Sequence, residues 1–469
     1  MLGVSRLPRS TPEAQGLSAA ALDSFVGALD AGEPEIQTIM LLRHGQVVLE
    51  EAWAPYRPED PHLLFSVSKS FTSTGIGLAI DAGLLSLDDQ VISFFDADEL
   101  PETVSDNLAA MKVRHLLTMT TGHSQDTVEA LSRDRRMVKI FLGLEVAHEP
   151  GTVFVYNSGA TYMLSAILQR LTGERLLDYL RPRLFEPLGA TEATWQVSRE
   201  GITTGGWGLS INTESLASFG QLLLQHGEWK GEQLVPAEWY EAATSRQVPN
   251  DNEENPDWKQ GYGFQFWRGR HNTYRGDGAF GQFCLIFPEY DAALIITSAT
   301  TDMQGILNTV WEYLLPALEG KEVPAVGRPS RLELLPPAGS APAGGDGRTY
   351  RFTGRNDAGL TAVRLDPDGT GVFTFEEFGG AGSHDIVCAP GDWREQSALG
   401  SLYDANLQAA NRIVTSAYGD GDAFVATVRW VETPFVARFT CRVAGDSMTV
   451  DGKLNVSFGP TEFTLTSEV

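Results

Sequence analysis

The segment with the clearest chemical potential is Phe65-Ser-Val-Ser-Lys69, in which a serine precedes a lysine by three residues. Apolar spacing predicts a helix from Ser66 to about Ala82, and residues three apart on a helix share a face. The Lys69 amine can therefore reach the Ser66 hydroxyl. A serine hydroxyl becomes a good nucleophile when a neighbouring group removes its proton, and burial can lower the pKa of a lysine enough for that task. Ser66 and Lys69 are the predicted nucleophile and base.

The start of the same helix offers a second catalytic feature. Free backbone N–H groups and positive dipole character at a helix start can stabilise a developing oxyanion. A Ser-x-x-Lys pair alone is weak evidence, because about half a match is expected by chance in a chain of 469 residues. A helix-capping serine followed by a solvated lysine is the structural alternative. The remaining motifs must decide between the two interpretations.

Further segments follow in an order that resembles the penicillin-recognising serine hydrolases. This family includes class C β-lactamases and related esterases, D-amino-acid peptidases and aminohexanoate-oligomer hydrolases. Segment 65–71 is similar to the first motif of the family, and segment 113–122 to the part before the active-site loop. Segment 150–158 is similar to the Tyr-x-Asn motif, and segment 276–282 to the Lys-Thr-Gly region. The resemblance implies a β-lactamase-like antiparallel sheet flanked by helices.

The resemblance also implies roles for individual residues. Ser66 would form an acyl-enzyme and Lys69 would take the serine proton. Tyr156 would share the acid and base work, protonating the leaving group and activating water in deacylation. The backbone N–H groups of Ser66 and Ala279 would form the oxyanion hole. A buried aromatic residue is the structural alternative for Tyr156.

Two departures from the family pattern affect the predicted substrate, for which Ser158, Asp277 and Gly278 are the binding candidates. Ser158 stands where the family usually has Asn, which removes one contact to a substrate amide. Gly276-Asp277-Gly278 replaces Lys-Thr-Gly, so the cation and hydroxyl that hold a β-lactam carboxylate are missing. Asp277 would repel a substrate carboxylate, and Arg275 is the nearby arginine expected to face the site.

These departures favour an esterase or amidase that prefers neutral or cationic substrates over anionic ones. Two alternatives stay open. One is a β-lactamase or D-amino-acid peptidase, which the missing lysine argues against. The other is a penicillin-binding-like sensor that becomes acylated and does not turn over.

The elements that must position these residues follow from the hydrophobic pattern. Apolar runs predict a β-hairpin over 36–43 and 46–53 and a second over 282–288 and 292–297. Helical periodicity between and after them predicts helices over 66–82, 113–120, 160–171, 215–225 and 306–315. Strands at both ends of a mainly helical region imply one sheet with a helical insert, and therefore an α+β fold.

Composition changes near residue 321 and predicts a second domain. Segment 321–347 is rich in proline and glycine, as linkers are, and separates a hydrolase domain over 12–320 from a C-terminal domain over 348–469. Short alternating strands predict that the C-terminal domain is an all-β barrel or sandwich. Segment 366–377 matches a calcium-loop pattern, but the strand-like residues around it favour a hairpin turn.

Composition also excludes several classes of function. A formal net charge of -26 opposes binding to nucleic acids and anionic membranes. The histidines have no zinc spacing and the three cysteines form no disulfide framework, so neither a metal nor a cofactor is predicted. Without an apolar run of signal or membrane-span length, a cytoplasmic protein acting on a small molecule is expected. The sequence does not predict the oligomeric state.

Overall fold

The computed structural model describes residues 6–132, 135–342, 344–353, 359–376, 382–399 and 410–467. The chain divides into two compact units. The first contains Met1–Glu51, Leu63–Thr297 and Asp302–Pro329, and the second contains Ala52–His62, Ser298–Thr301 and Ser330–Val469. The division predicted from the sequence assigns the two short segments, 52–62 and 298–301, to the hydrolase domain. In the structure they belong to the C-terminal unit.

The frame of the first unit is a six-stranded sheet. The strands of this half of the chain are β1 (Glu35–Arg43), β2 (Gln46–Ala52), β3 (His62–Leu63), β4 (Thr194–Trp195), β5 (Leu209–Ile211), β6 (Glu228–Trp229), β7 (Glu232–Gln233), β8 (Trp267–Arg268), β9 (Tyr274–Gly278), β10 (Gln282–Phe287) and β11 (Ala292–Ala299). The sheet has the order β2-β1-β11-β10-β9-β8, with antiparallel pairing from β11 to β8. β10 and β11 are buried along their whole length, which explains their nearly continuous apolar sequence.

Most of the helices lie between β2 and β8, where the sequence predicts a helical insert, together with the short strands β3 to β7. The helices of the first unit are α1 (Ala19–Ala31), α2 (Ser68–Asp81), α3 (Asp106–Ala110), α4 (Val113–Leu117), α5 (Val128–Leu131), α6 (Met137–Gly143), α7 (Ser158–Thr172), α8 (Leu176–Leu180), α9 (Glu186–Leu188), α10 (Thr213–Leu224), α11 (Ala237–Thr244), α12 (Met303–Thr309) and α13 (Leu315–Leu318). Single π-helical turns, Arg181–Phe185 and Val310–Leu314, lie between α8 and α9 and between α12 and α13. None of the described helices has both the length and the apolar character required to cross a lipid bilayer.

Two predicted helix bounds differ from the structure for a backbone reason. The helix predicted to begin at Ser66 begins at Ser68, after a 3-10 turn over Phe65–Val67 that Phe65 enters with a left-handed φ of 47°. The helix predicted to reach 120 ends at Leu117, shortly before Met119 adopts a φ of 58°. Left-handed residues interrupt helical hydrogen bonding, and residue type gives little warning of them outside glycine and asparagine.

Helix α2 lies at the centre of the first unit, and its glycines allow neighbours to approach closely. A Cβ on Gly77 would lie 2.5 Å from the Trp239 indole, and one on Gly75 would lie 2.9 Å from the Leu176 side chain. The Trp239 and Leu176 side chains pack directly against α2 at these glycines. A larger residue at either position would keep its neighbour farther from the helix. The position of α2 therefore depends on two residues that lower helix propensity.

The C-terminal unit is built from antiparallel strands. They are β12 (Thr349–Arg351), β13 (Leu360–Leu365), β14 (Gly371–Glu376), β15 (Ser383–Cys388), β16 (Arg394–Leu399), β17 (Ala410–Asp420), β18 (Ala423–Trp430), β19 (Val436–Ala444), β20 (Ser447–Leu454) and β21 (Glu462–Thr466). β12 to β15 form one sheet and β16 to β21 another, each in sequence order. Phe373 joins the two sheets through ring contacts with Phe424 and Phe439. The all-β prediction is confirmed, and over the described ranges neither sheet closes into a barrel.

The segment that matched a calcium loop is a hairpin turn between β13 and β14. The Asp366 N–H donates to the Thr370 carbonyl at 2.8 Å, and the Asp368 carboxylate accepts from the Thr370 N–H at 3.0 Å. The Asp366 carboxylate accepts a hydrogen bond from the Arg364 guanidinium at 2.8 Å. Glu377, the last residue of the pattern, lies outside the described residues. Backbone bonds and an arginine therefore occupy oxygens that the calcium pattern requires.

The close contact at Gly77 generates a test of the central packing. In Gly77→Ala the added methyl group would lie 2.5 Å from atoms of the Trp239 indole, which is too close for a van der Waals contact. Overpacking of this kind lowers the free energy of unfolding by about 1–3 kcal/mol. Gly143→Ala is the matched control, because a Cβ on Gly143 meets no atom within 4 Å. Thermal unfolding should show a lower Tm for the first variant and no loss for the second. Equal Tm values would contradict the packing described here.

Candidate active site

Ser66 lies in the 3-10 turn that leads into α2. The preceding residue, Phe65, holds its left-handed backbone with its ring edge against the ring of Phe280, at a centroid distance of 5.4 Å. Phe280 also has a positive φ, of 65°. A left-handed conformation at a non-glycine residue costs about 1–3 kcal/mol and persists where surrounding packing enforces it. Two such residues at one contact indicate that the backbone leading into Ser66 is held in a defined shape.

Lys69 is buried and donates hydrogen bonds to three acceptors. Its Nζ lies 2.9 Å from Ser66 Oγ, 3.2 Å from Ser158 Oγ and 2.8 Å from the carbonyl oxygen of Gly206. Burial lowers the pKa of Lys69 to about 8, and the carboxylates of Asp126 and Asp277 act in the opposite direction. The neutral amine is therefore a minor form at pH 7 and becomes the major form above about pH 8, far below the pH at which an exposed lysine loses its proton.

Tyr156 completes the predicted catalytic group. Its ring stacks on Trp267 at 5.1 Å and meets Tyr262 edge-on at 6.2 Å, while Lys69 Nζ lies 4.8 Å from its centroid. Burial raises the pKa of Tyr156, Asp277 raises it further, and hydrogen bonds with Ser66 and Trp267 act against both. The phenol thus stays protonated well above neutral pH, beside an amine whose lowered pKa gives it a neutral fraction that grows as the pH approaches 8.

The residues after Tyr156 begin α7 and are tied down by hydrogen bonds. The Asn157 side-chain oxygen accepts from the Gly159 N–H at 3.0 Å and from the Thr127 hydroxyl at 2.8 Å. The Ser158 N–H donates to the Asp126 carboxylate at 2.9 Å. Asparagine at the position before a helix is a strong cap, so the motif fixes both the helix start and the backbone of Ser158.

Two glycines on β9 bring that strand onto the segment around Ser66. A Cβ on Gly276 would lie 2.8 Å from the Ser70 hydroxyl, and one on Gly278 would lie 2.1 Å from the carbonyl oxygen of Leu64. At Gly278 only a residue without a side chain permits such an approach of two backbones. The chain continuing from Gly278 into Ala279 therefore passes beside the backbone that enters Ser66, as the predicted oxyanion hole requires.

The remaining residue of the triplet, Asp277, is held by an arginine on the same strand. Arg275 Nε lies 2.9 Å from Asp277 Oδ2, and both side chains are buried. The other two arginines of this region lie elsewhere: Arg268 donates to the Thr244 carbonyl, and Arg270 pairs with Asp257 at 2.9 Å. Burial raises the pKa of Asp277, and the Arg275 charge opposes the increase.

Sequence reasoning missed the loop around Gly206. Residues 203–208 pass between α2 and α7, where a Cβ on Gly206 would lie 2.9 Å from the Ser158 carbonyl oxygen. The contact to Lys69 comes from a backbone carbonyl, so no residue type announces it. The run Gly205-Gly206-Trp207-Gly208 was the available signal, because paired glycines mark places where backbones meet.

A family profile described as β-lactamase matches residues 24–317, more than half of the chain. The chain belongs to the β-lactamase family. Among curated proteins it is 27% identical to the 6-aminohexanoate-dimer hydrolase of Paenarthrobacter ureafaciens, over 64% of this chain and 82% of that protein. It is also 28% identical to the D-aminopeptidase of Brucella anthropi, over 33% of this chain and 32% of that protein.

Solved structures share the β-lactamase-family fold. A candidate 6-aminohexanoate-dimer hydrolase from Bacillus anthracis aligns with a TM-score of 0.55 at 21% identity, covering 68% of this chain and 89% of that one. A penicillin-binding protein homologue from Pyrococcus abyssi aligns with a TM-score of 0.52 at 16% identity, covering 96% of this chain and 99% of the other. The second alignment extends through the C-terminal β-rich part, which lies outside the matched family profile.

The influence of Asp126 on Lys69 can be measured directly. Asp126→Asn removes the carboxylate charge that raises the pKa of Lys69, while the amide oxygen can still accept from the Ser158 N–H. The pKa of Lys69 should therefore fall, and the acid limb of the kcat/KM profile should move to lower pH. Asp106→Asn, an exposed first-turn residue of α3, is the control. An unmoved or upward-shifted limb in Asp126→Asn would contradict the assigned electrostatics.

Proposed function

We propose that this protein is a serine hydrolase that cleaves a small ester or amide through an acyl-enzyme on Ser66. One observation carries the proposal: a buried lysine amine with a pKa near 8 lies 2.9 Å from a serine hydroxyl, beside a protonated tyrosine. Such a pair suits proton removal from the serine, and the tyrosine suits proton donation. The relatives named as amide-bond hydrolases and peptidases support the reaction class.

In the acylation step, Ser66 Oγ attacks the carbonyl carbon of the substrate while its proton moves to the neutral Nζ of Lys69. The negative charge that develops on the carbonyl oxygen is bound by the backbone N–H groups of Ser66 and Ala279. Charge on the Lys69 ammonium is stabilised by Ser158, by the Gly206 carbonyl and by the carboxylates of Asp126 and Asp277. The acidic residues thus assist proton transfer to Lys69.

Collapse of the tetrahedral intermediate requires a proton on the leaving group. Tyr156, hydrogen bonded to Ser66, donates its phenolic proton and is reprotonated from the Lys69 ammonium, so the pair returns to its starting state. In deacylation the same groups activate a water molecule that attacks the acyl carbon and frees Ser66. Lys69 is the base and Tyr156 the acid in acylation, because the pKa of Lys69 is lowered and that of Tyr156 is raised.

A sensor that stays acylated is the alternative from another functional class. Labelling with a fluorophosphonate, followed by turnover of a series of nitrophenyl esters, separates the two functions. Labelling of Ser66 together with turnover is the result expected of a hydrolase, and labelling without turnover that of a sensor. A small-molecule substrate is proposed in either case, and the cytoplasmic location stays a prediction from the sequence.

The proposed catalytic unit makes a prediction for single and double variants. Ser66→Ala and Lys69→Ala should each lower kcat by about 10³-fold or more, and the double variant should be little worse, because residues that act as a unit are not additive. Ser93→Ala and Lys321→Ala are exposed controls expected to behave as the wild type. A Ser66→Ala protein that keeps a tenth of the activity would contradict this mechanism.

The lowered pKa of Lys69 makes a prediction for the pH profile. The neutral amine is the active form and the ammonium is inactive, so kcat/KM should rise with pH through an apparent pKa near 8 and then level off. Tyr156 titrates at higher pH, so no decline is expected immediately above the plateau. The measurement needs a substrate for which chemistry is shown to limit the rate. A flat profile from pH 6 to 9 would argue against a titrating Lys69.

A further inference from the structure

The ion pair of Arg275 and Asp277 lies at the position where the family pattern has its anion-binding triplet. Both residues are on β9, two positions apart and therefore on one face of the strand, with Arg275 fully buried and the Asp277 side chain only 7% exposed. Asp277 is close enough to Lys69 and Tyr156 to raise the pKa of each. The pair therefore belongs to the electrostatic environment of the catalytic group.

The guanidinium of Arg275 uses only part of its hydrogen-bond donor capacity. Its Nε donates to Asp277 and its Nη1 donates to the Asp257 carbonyl at 3.0 Å, while Nη2 is buried and has no acceptor among the residues that the structure describes. The guanidinium lies 4.6 Å from the ring of Trp258. Arginine binds carboxylates through two parallel N–H groups, and a single internal carboxylate oxygen leaves that capacity unfilled.

No other residue of the triplet can supply the missing cation. A Cβ at Gly276 would lie 2.8 Å from the Ser70 hydroxyl, so a lysine at that position requires the hydroxyl to move. β8 pairs only with Tyr274 and Arg275, so it does not extend beside Asp277. Arg275 is itself a residue of β9, and its side chain already pairs with Asp277.

We infer that Asp277 is an internal carboxylate that occupies Arg275, the cation that would otherwise bind a carboxylate of the substrate, and that the pair thereby selects esters or amides without a carboxylate near the scissile bond. This inference rests on the proposed hydrolase function. The sequence suggested that Asp277 acts by repulsion. In the structure the two charges offset each other at short range, so the exclusion of anions comes from an occupied arginine.

The test uses the full chain and two readouts. First, kcat/KM is compared for a matched pair of nitrophenyl esters, one neutral and one with a carboxylate on the acyl chain. The wild type should favour the neutral ester, and Asp277→Asn should raise the carboxylated-to-neutral ratio by about 10- to 100-fold, the range of one charge-assisted bidentate contact. A wild type that already favours the carboxylated ester overturns the inference, even if no variant folds.

The second readout does not depend on turnover. Acetate is the probe, and its effect on the Tm is measured for Ser66→Ala protein and for the Ser66→Ala, Asp277→Asn double variant. Acetate should raise the Tm of the double variant, whose arginine has lost its internal carboxylate, and should leave the Tm of the single variant unchanged. Adding Arg275→Met to the double variant should abolish the shift.

Two outcomes of the acetate experiment overturn the inference: a shift that persists without the arginine, or no shift in the double variant that retains it. A third outcome would contradict the proposed hydrolase function without contradicting this inference. Absence of any ester turnover by the wild type, with the acetate shifts as expected, contradicts only the hydrolase proposal and leaves the occupied arginine in place.

Discussion

The burial of Lys69 is the constraint on which the rest of the site depends. An amine removed from water loses hydration worth several kcal/mol when charged, so protein acceptors must replace the water. The three acceptors come from the turn before α2, from the first residue of α7 and from the 203–208 loop, the last two being 89 and 137 residues along the chain from Lys69. A shift of any one segment leaves the amine incompletely bonded, so one nitrogen fixes the relative positions of three segments.

The carboxylates near the site act differently on the pKa values of the lysine and the tyrosine. Burial lowers the pKa of Lys69, and Asp126 and Asp277 limit the decrease. For Tyr156, burial and the same two carboxylates all act to raise the pKa. One arrangement of charge therefore leaves the amine able to accept a proton near neutral pH and keeps the phenol protonated. Separation of two titratable groups by their surroundings is a common basis for distinct acid and base roles.

The sequence predicted the elements whose signal is local. The two hairpins of the sheet and four helices of the insert, α2, α4, α7 and α10, follow from hydrophobic spacing. The order of motifs indicated Ser66, Lys69 and Tyr156 as a candidate group. Features that depend on distant backbone were missed. The Gly206 carbonyl acts through the backbone, so the glycine run marks the loop without indicating the contact to Lys69, and the left-handed Phe65 is enforced by packing. Segment 52–62 joins the C-terminal unit because the Asp60 carboxylate binds Arg412, 352 residues away, which no local pattern reveals.

The loss of the triplet lysine is part of how β9 packs on α2. The space that a side chain at Gly276 would need is taken by Ser70, whose hydroxyl donates to the Gln265 carbonyl at 3.0 Å. Gln265 in turn accepts from the Thr161 hydroxyl on α7 and donates to the Leu117 carbonyl at the end of α4. A lysine at 276 would therefore displace the Ser70 hydroxyl from its hydrogen bond to Gln265. Positive charge at this strand is compatible with the packing on the opposite face, at Arg275, and on that face Asp277 is near enough to bind it. The proposed substrate selection and the packing of β9 thus involve two adjacent residues of that strand, Asp277 and Gly276.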